Sequence, residues 1–223
     1  CLVMRDERSL YFSPAEFIVL LELAGGPACS LLSDGAVLED AALTAAFAAV
    51  FRRGLIQREG DGFVLSPSGK MFDEIRNAPW AVYISGGSGG EALCYWAEHF
   101  VCLVELADVI VTTQYRLRRL DRAELGQWLC DSGLLEPPVL TAEDVRELEF
   151  LPENGQDSAV IQPLLQLEKH VNGGPAVEVC QVYKRRGHMR ISRSGRKQDA
   201  YYTQESLSDM LAECFGKEEH DHC

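Results

Sequence analysis

The sequence predicts an α+β fold, an N-terminal winged-helix-like module followed by two pseudo-symmetric lobes that each join an antiparallel sheet to a helix. Three observations carry that expectation. Up to Pro79 the apolar periodicity reads helix, helix, hairpin, helix. After Pro79 the texture turns to short strands. An antiparallel meander feeding a capped helix then occurs twice, from Val109 to Leu129 and from Met189 to Leu211, as a match of pattern without identity.

The first helix opens at Ser13-Pro14-Ala15-Glu16. Ser13 caps it, Pro14 suits the first helical position, and Glu16 reaches back to close a capping box. Phe17, Ile18, Leu20 and Leu21 extend it to the stop at Gly25-Gly26-Pro27. A second helix from Glu39 sets Leu43, Ala46, Phe47, Val50 and Phe51 on one stripe and ends at Gly54. Leu55–Glu59 and Gly62–Leu65 flank Gly60-Asp61, a hairpin signal, and Ser66-Pro67 opens a third helix that ends near Ala78-Pro79.

Strands follow at Ala81–Ser85, Leu93–Glu98, Phe100–Leu106 and Val109–Leu117, the first two joined by a Gly-rich loop. Asp121 starts a helix carrying Leu125, Trp128 and Leu129, and Thr141-x-x-Asp144 starts another. A helix is expected from Val160 to His170, then strands around Val177–Tyr183, Met189–Ile191 and Asp199–Thr203, and a closing helix from Glu205 to Phe215. The resulting organisation is a winged-helix-like module at 9–79, a first lobe at 80–135, a helical connection at 136–175, a second lobe at 176–216 and a flexible tail at 217–223.

At 223 residues and 47% hydrophobic composition, the chain can bury a core without disulfides or metal. No run reaches the ~18 apolar residues of a membrane span, so no membrane insertion is expected. Cys1–Ser9 carries four charges and lacks the pattern of a secretory signal, and the opening Cys-Leu-Val-Met suggests a trimmed start with Met4 as the initiator. Eight cysteines without a C-x-x-C pair point to reduced thiols and a cytoplasmic setting. A net charge of −13 disfavours nucleic acid and anionic lipid.

The winged-helix pattern raises DNA binding as a hypothesis, with Glu39–Arg53 as the reader. Its outer face holds Ala41, Thr44, Ala45, Ala48, Ala49 and Arg52, poor in the side chains that read bases. Ser9–Pro79 has five basic against nine acidic residues. A structural or protein-contacting module is favoured, with a transcriptional regulator as the alternative. Gly86-Gly87-Ser88-Gly89-Gly90 fits the G-x-S-x-G nucleophile elbow, with Ser88 as nucleophile and His99, His170 or His188 as base. A run of glycines satisfies almost any glycine pattern, and Glu91–Glu98 alternates as a strand where an elbow needs a helix. A flexible loop is the preferred reading, with no catalytic residue assigned. The tail Glu218-Glu219-His220-Asp221-His222-Cys223 has ligand-type side chains but no second cluster, so neither metal nor cofactor is expected.

Two basic groups interrupt the acidic chain, Arg116, Arg118, Arg119 and Arg122 in the first lobe, and Lys184 to Lys197 in the second. Solvated hairpin turns account for them as readily as contact with an acidic partner. The protein-contact reading places Tyr95, Trp96, Tyr183 and Tyr202 as aromatic anchors in a groove for an amphipathic helix, with Arg190, Arg193 and Arg196 at its rim. Alternation sets Tyr95 and Trp96 on opposite faces of one strand, so only one can face its own lobe's helix. The competing account covers both internally.

Together these features resemble the EspG-type chaperones of the bacterial type VII (ESX) secretion system. The resemblance rests on Ser13-Pro14-Ala15-Glu16-Phe17 with Leu20-Leu21, on Phe51-Arg52-Arg53-Gly54-Leu55-Ile56 leading to Asp61-Gly62-Phe63-Val64-Leu65-Ser66-Pro67, and on Gly187-His188-Met189-Arg190-Ile191 with Ser194-Gly195-Arg196 before a terminal amphipathic helix. It implies a winged-helix-like start, two pseudo-symmetric lobes and a non-enzymatic chaperone or adaptor role toward secreted helical effectors, WXG100-like or related, in the cytoplasm. Homodimerisation is left open.

Overall fold

Phe12, Phe17, Phe72 and Tyr115 meet edge to face, with ring centroids 5.3–5.4 Å apart, and the first of two structural units is built around them. The computed structural model describes residues 9–25, 39–87, 90–97, 101–109, 112–149, 162–171 and 174–215. The first unit draws on the chain up to Ala81, on Ala92–Arg122 and on Val171–Pro175. The second draws on Val82–Glu91, Ala123–His170 and the chain from Ala176 onward. The fold is mixed α+β with antiparallel strand pairing, six α-helices lie among the described residues, and none is long and apolar enough to cross a membrane.

In the first unit, β1 (Ser9–Phe12) leads into α1 (Pro14–Leu23) through the expected capping box. The Ser13 N–H donates to the Glu16 carboxylate at 2.8 Å, and the Glu16 N–H donates to the Ser13 hydroxyl at 3.2 Å. Phe17, Leu20 and Leu21 turn inward. In α2 (Asp40–Arg52), Ala46 and Val50 are buried, while Phe51 from the same predicted stripe is 48% exposed and meets Phe63 edge to face. The hairpin of β2 (Ile56–Glu59) and β3 (Gly62–Leu65) turns on Gly60-Asp61, where Gly60 takes a positive φ. A short 3-10 turn at Pro67–Gly69 precedes α3 (Met71–Asn77). Glycine is obligatory at 69, because a Cβ there would lie 2.2 Å from the Leu55 carbonyl oxygen.

Strand β4 (Trp80–Gly86) carries the chain toward the second unit, and β5 (Glu91–Trp96), β6 (Val101–Val109) and β7 (Thr112–Leu120) follow. In the first unit β1, β7, β6 and β5 lie side by side in that order, every pair antiparallel. The pairing of β1 with β7, Ser9 opposite Arg118, has no local signal in the sequence and was not among the predicted strands.

The second unit holds α4 (Leu125–Asp131), α5 (Ala142–Glu149), β8 (Leu165–Val171), β9 (Ala176–Arg185), β10 (His188–Arg193), β11 (Ala200–Tyr201) and α6 (Gln204–Phe215). Strands β4, β8, β9, β10 and β11 neighbour one another in that order. Of the helix expected from Val160 to His170, Val160 and Ile161 lie outside the described residues, and the remainder holds the strand β8 in place of a helix. Leu165 and Leu167 are buried while Gln166 and Glu168 are only partly covered, a period of two, and antiparallel pairing with β9 supplies the backbone partners. Helices α4 and α6 bury Leu125, Trp128 and Leu129, and Leu207, Met210, Cys214 and Phe215.

The two phenylalanine environments differ enough to be told apart by denaturation. Phe72, 1% exposed, contacts two other aromatic rings, so Phe72→Ala is expected to cost about 3–5 kcal/mol. Phe51→Ala should cost about 1 kcal/mol or less. Equal losses in urea titrations of the two variants would show that Phe51 is covered in solution.

Candidate functional site

The hairpin between β9 and β10 turns on Arg186-Gly187, both with positive φ, which is the backbone a two-residue hairpin loop requires. Alternation then sends β10 side chains to opposite faces. Ile191 is buried, and Arg193 on the same face reaches α6, donating to the Ser206 carbonyl at 3.1 Å and pairing with Glu213 at 2.8 Å. Arg196, beyond the strand, pairs with the other oxygen of the same carboxylate. Arg190 takes the opposite face. Its guanidinium carbon lies 4.0 Å from the centroid of the Tyr201 ring, and its buried Nε–H has no hydrogen-bond partner among the described residues.

Around these residues lies a groove of about 1190 Å³, walled by α5, β10, the segment before β11 and the start of α6. Its charged lining is six basic side chains (Arg146, Arg185, Arg190, Arg193, Arg196 and Lys197) against three carboxylates, Asp199, Glu205 and Asp209. Helix α5 is held at its start by Thr141, whose N–H donates to Asp144 at 2.7 Å and whose hydroxyl accepts from the Asp144 N–H at 3.2 Å. The Thr141 hydroxyl also donates to the Asp144 carboxylate at 2.6 Å, and that bond together with the Thr141 N–H holds the Asp144 carboxyl below its ordinary range. Thr203 and Ser206 cap α6 in the same way, with N–H-to-hydroxyl distances of 2.8 and 3.1 Å.

The predicted site residues separate into two groups. Arg190, Arg193 and Arg196 line the groove together. The four aromatic side chains do not. Tyr95, Trp96, Tyr183 and Tyr202 are all buried, at 2–8% exposure. Trp96 stacks on Trp80 at 6.0 Å beneath the Arg122 guanidinium, and Tyr202 donates its hydroxyl to the Glu136 carbonyl at 2.8 Å. Covered on every side, they act as core side chains rather than as surface anchors. Tyr201, next to Tyr202 in sequence, is the tyrosine that reaches the groove.

The basic group of the first unit is engaged within that unit. Arg118 and Arg116 approach Glu105 at 3.3 and 3.8 Å, Arg119 grips both oxygens of Glu74 at 2.6 and 2.8 Å, and Arg122 donates to the Ala97 carbonyl at 2.8 Å. Ser88, His99 and the tail at 217–223 lie outside the described residues. His170 is buried with Nε2 3.5 Å from Glu168, and His188 packs edge to face on Tyr201. Among the described residues no three His, Cys, Asp or Glu side chains are grouped to hold a metal ion.

The helix expected from Thr141 forms α5, but nothing in the sequence marked its Arg146 or the bracing carboxylate Glu213 as part of the site. The same holds for Asp199. It accepts from the Tyr183 hydroxyl, and burial together with that bond pushes the Tyr183 phenol up to about 12. A phenol whose folded pKa is raised contributes stability below its unfolded value near 10 and loses it as pH climbs through the folded value. Absorbance at 295 nm during alkaline titration should therefore contain a late component with a midpoint near 12, smaller by one phenol in Tyr183→Phe, where Tyr202, raised by burial, still titrates late. A Tyr183→Phe curve that instead lacks a component near pH 10 would show the phenol to be solvated. Comparison with models of known protein families and with curated protein sequences finds no match for this chain.

Proposed function

We propose that this protein is a non-enzymatic binding chaperone or adaptor, and that the groove of its second unit receives an acidic segment of a partner protein. The observation that carries the reading is the gathering of six basic side chains around one 1190 Å³ groove on a chain of net charge −13. A uniformly acidic protein repels acidic partners, so a local basic recess sets where and in what orientation one docks. The groove exceeds the roughly 300–1,000 Å³ of small-molecule sites. Arg190 stacked on Tyr201 is the pairing of residue types in which binding energy concentrates at protein interfaces.

The resemblance to EspG-type chaperones supplies the partner class, helical effector proteins of type VII secretion, handled in the cytoplasm before export. On this reading the helix, helix, hairpin, helix order of the first unit is a winged-helix-like module with a structural role. The sheet-and-helix portions of the two units are the pseudo-symmetric lobes. Nucleic acid is disfavoured as the ligand on this reading, because the outer face of α2 is Ala41, Thr44, Ala45, Ala48, Ala49 and Arg52, with one basic side chain to meet a base edge.

Fluorescence anisotropy with a labelled, glutamate-rich amphipathic peptide tests the proposal. The peptide should bind the full chain in the micromolar range and weaken as salt rises. Arg146→Glu combined with Lys197→Glu should weaken it about tenfold, or ~1.4 kcal/mol, with an unchanged melting curve. Unaltered peptide affinity in that variant, or salt-sensitive binding of duplex DNA as tight as that of the peptide, would reject the reading, the second in favour of a regulator. Labelling of Ser88 by a fluorophosphonate would reject it in favour of a hydrolase.

A further inference from the structure

All five described cysteines carry free thiols, and two of them meet. Cys180 on β9 and Cys214 in the last turn of α6 are completely buried, 34 residues apart in sequence, with their sulfurs 3.0 Å apart and the Cys214 S–H donating. A disulfide has an S–S length near 2.05 Å, so the sulfurs need to close by only about 1 Å. The other buried pair cannot do this. Cys94 stands opposite Leu103, and Cys102 opposite Tyr95, so the one-residue offset sends the two thiols to opposite faces of the sheet.

We propose that Cys180 and Cys214 are a modification site, joined as a disulfide when the protein meets a small peroxide, so that the last turn of α6 becomes covalently fastened to β9. The donated hydrogen bond from Cys214, with the charge of Arg193 nearby, lowers the Cys180 pKa. The same bond and burial raise that of Cys214, while burial also raises the thiols of Cys94, Cys102 and Cys130. Arg193 stands directly opposite Cys180 across β9 and β10, a cation beside that sulfur, and Cys180 is taken as the nucleophile on that placement. Its thiolate attacks one oxygen of hydrogen peroxide, the O–O bond breaks, and sulfenic acid and hydroxide form. The hydroxide takes the Cys214 proton as water, and the Cys214 sulfur attacks the sulfenic sulfur and expels its oxygen, protonated to a second water. Two thiols and one peroxide thus become one disulfide and two waters. Access for peroxide requires local opening at the end of α6, where Cys214 and Phe215 are buried.

The chain suits a direct test. Trypsin releases Cys180 in the peptide 170–184 and Cys214 in the peptide 198–217, each with a single cysteine. The full-length protein is treated with equimolar hydrogen peroxide, alkylated in denaturant and digested. The expected product is those two peptides joined, lighter by two hydrogens than their sum, in protein whose melting temperature rises and returns after dithiothreitol. Cys214→Ser should abolish the product, and Cys94→Ser should leave it. The wild-type digest decides the matter even if Cys214→Ser fails to fold. Separate alkylation of both cysteines after oxidation of other thiols, or Cys180 sulfinic acid beside an intact Cys214, would overturn the proposal.

Discussion

A guanidinium cannot sit against a helix, largely out of water, without a counter-charge, and the second unit is arranged around that requirement. The Arg193 side chain is only 7% exposed, and it is satisfied by the Ser206 carbonyl and the Glu213 carboxylate of α6. Those two acceptors lie about two turns apart on one helix. A single planar donor reaching both fixes the position of α6 along β10 as well as its rotation. Leu207, Met210, Cys214 and Phe215 then face inward, and the second oxygen of Glu213 draws in Arg196, which sets one rim of the groove.

Arginine meets two different fates in this chain. In the first unit each arginine of the basic group from Arg116 to Arg122 is matched by something nearby, Glu105 for Arg116 and Arg118, Glu74 for Arg119, and an indole face with a carbonyl for Arg122. In the second, one carboxylate serves Arg193 and Arg196 together, and Arg190 rests on an uncharged ring. The two groups are matched in the same way, two arginines to one carboxylate and one to a ring, and they differ in place. Arg190, Arg193 and Arg196 line a groove, which is why similar sequence patches carry different meaning.

Elements governed by nearby residues were readable in the sequence. The Ser13 capping box, the turn at Gly60-Asp61 and the Thr141 cap depend on side chains within three or four positions, and each is where those residues set it. Elements decided by distant partners were not. Leu165, Leu167 and His170 fit a short helix as well as a strand, and only the edge of β9 settles the matter. Phe51 continues an apolar stripe in sequence, yet the stripe is wider than the surface available to cover it. The basic site residues showed in composition, whereas Arg146 and Glu213 became part of the site through helix placement. The aromatic residues were the opposite case, since Tyr95 and Trp96 occupy opposite sides of one strand and both are covered.

Strand β11 is two residues long, pairs with β10 only at Arg190 and Ile191, and has no strand on its other side among the described residues. A longer exposed border would present a row of unsatisfied amides and carbonyls on which a second molecule could extend the sheet without limit. Two residues template almost nothing. The charged stretch that leads into them, Arg196, Lys197 and Asp199, adds a hydration shell that an incoming backbone would have to strip. Brevity at this border leaves an incoming backbone little on which to extend the sheet.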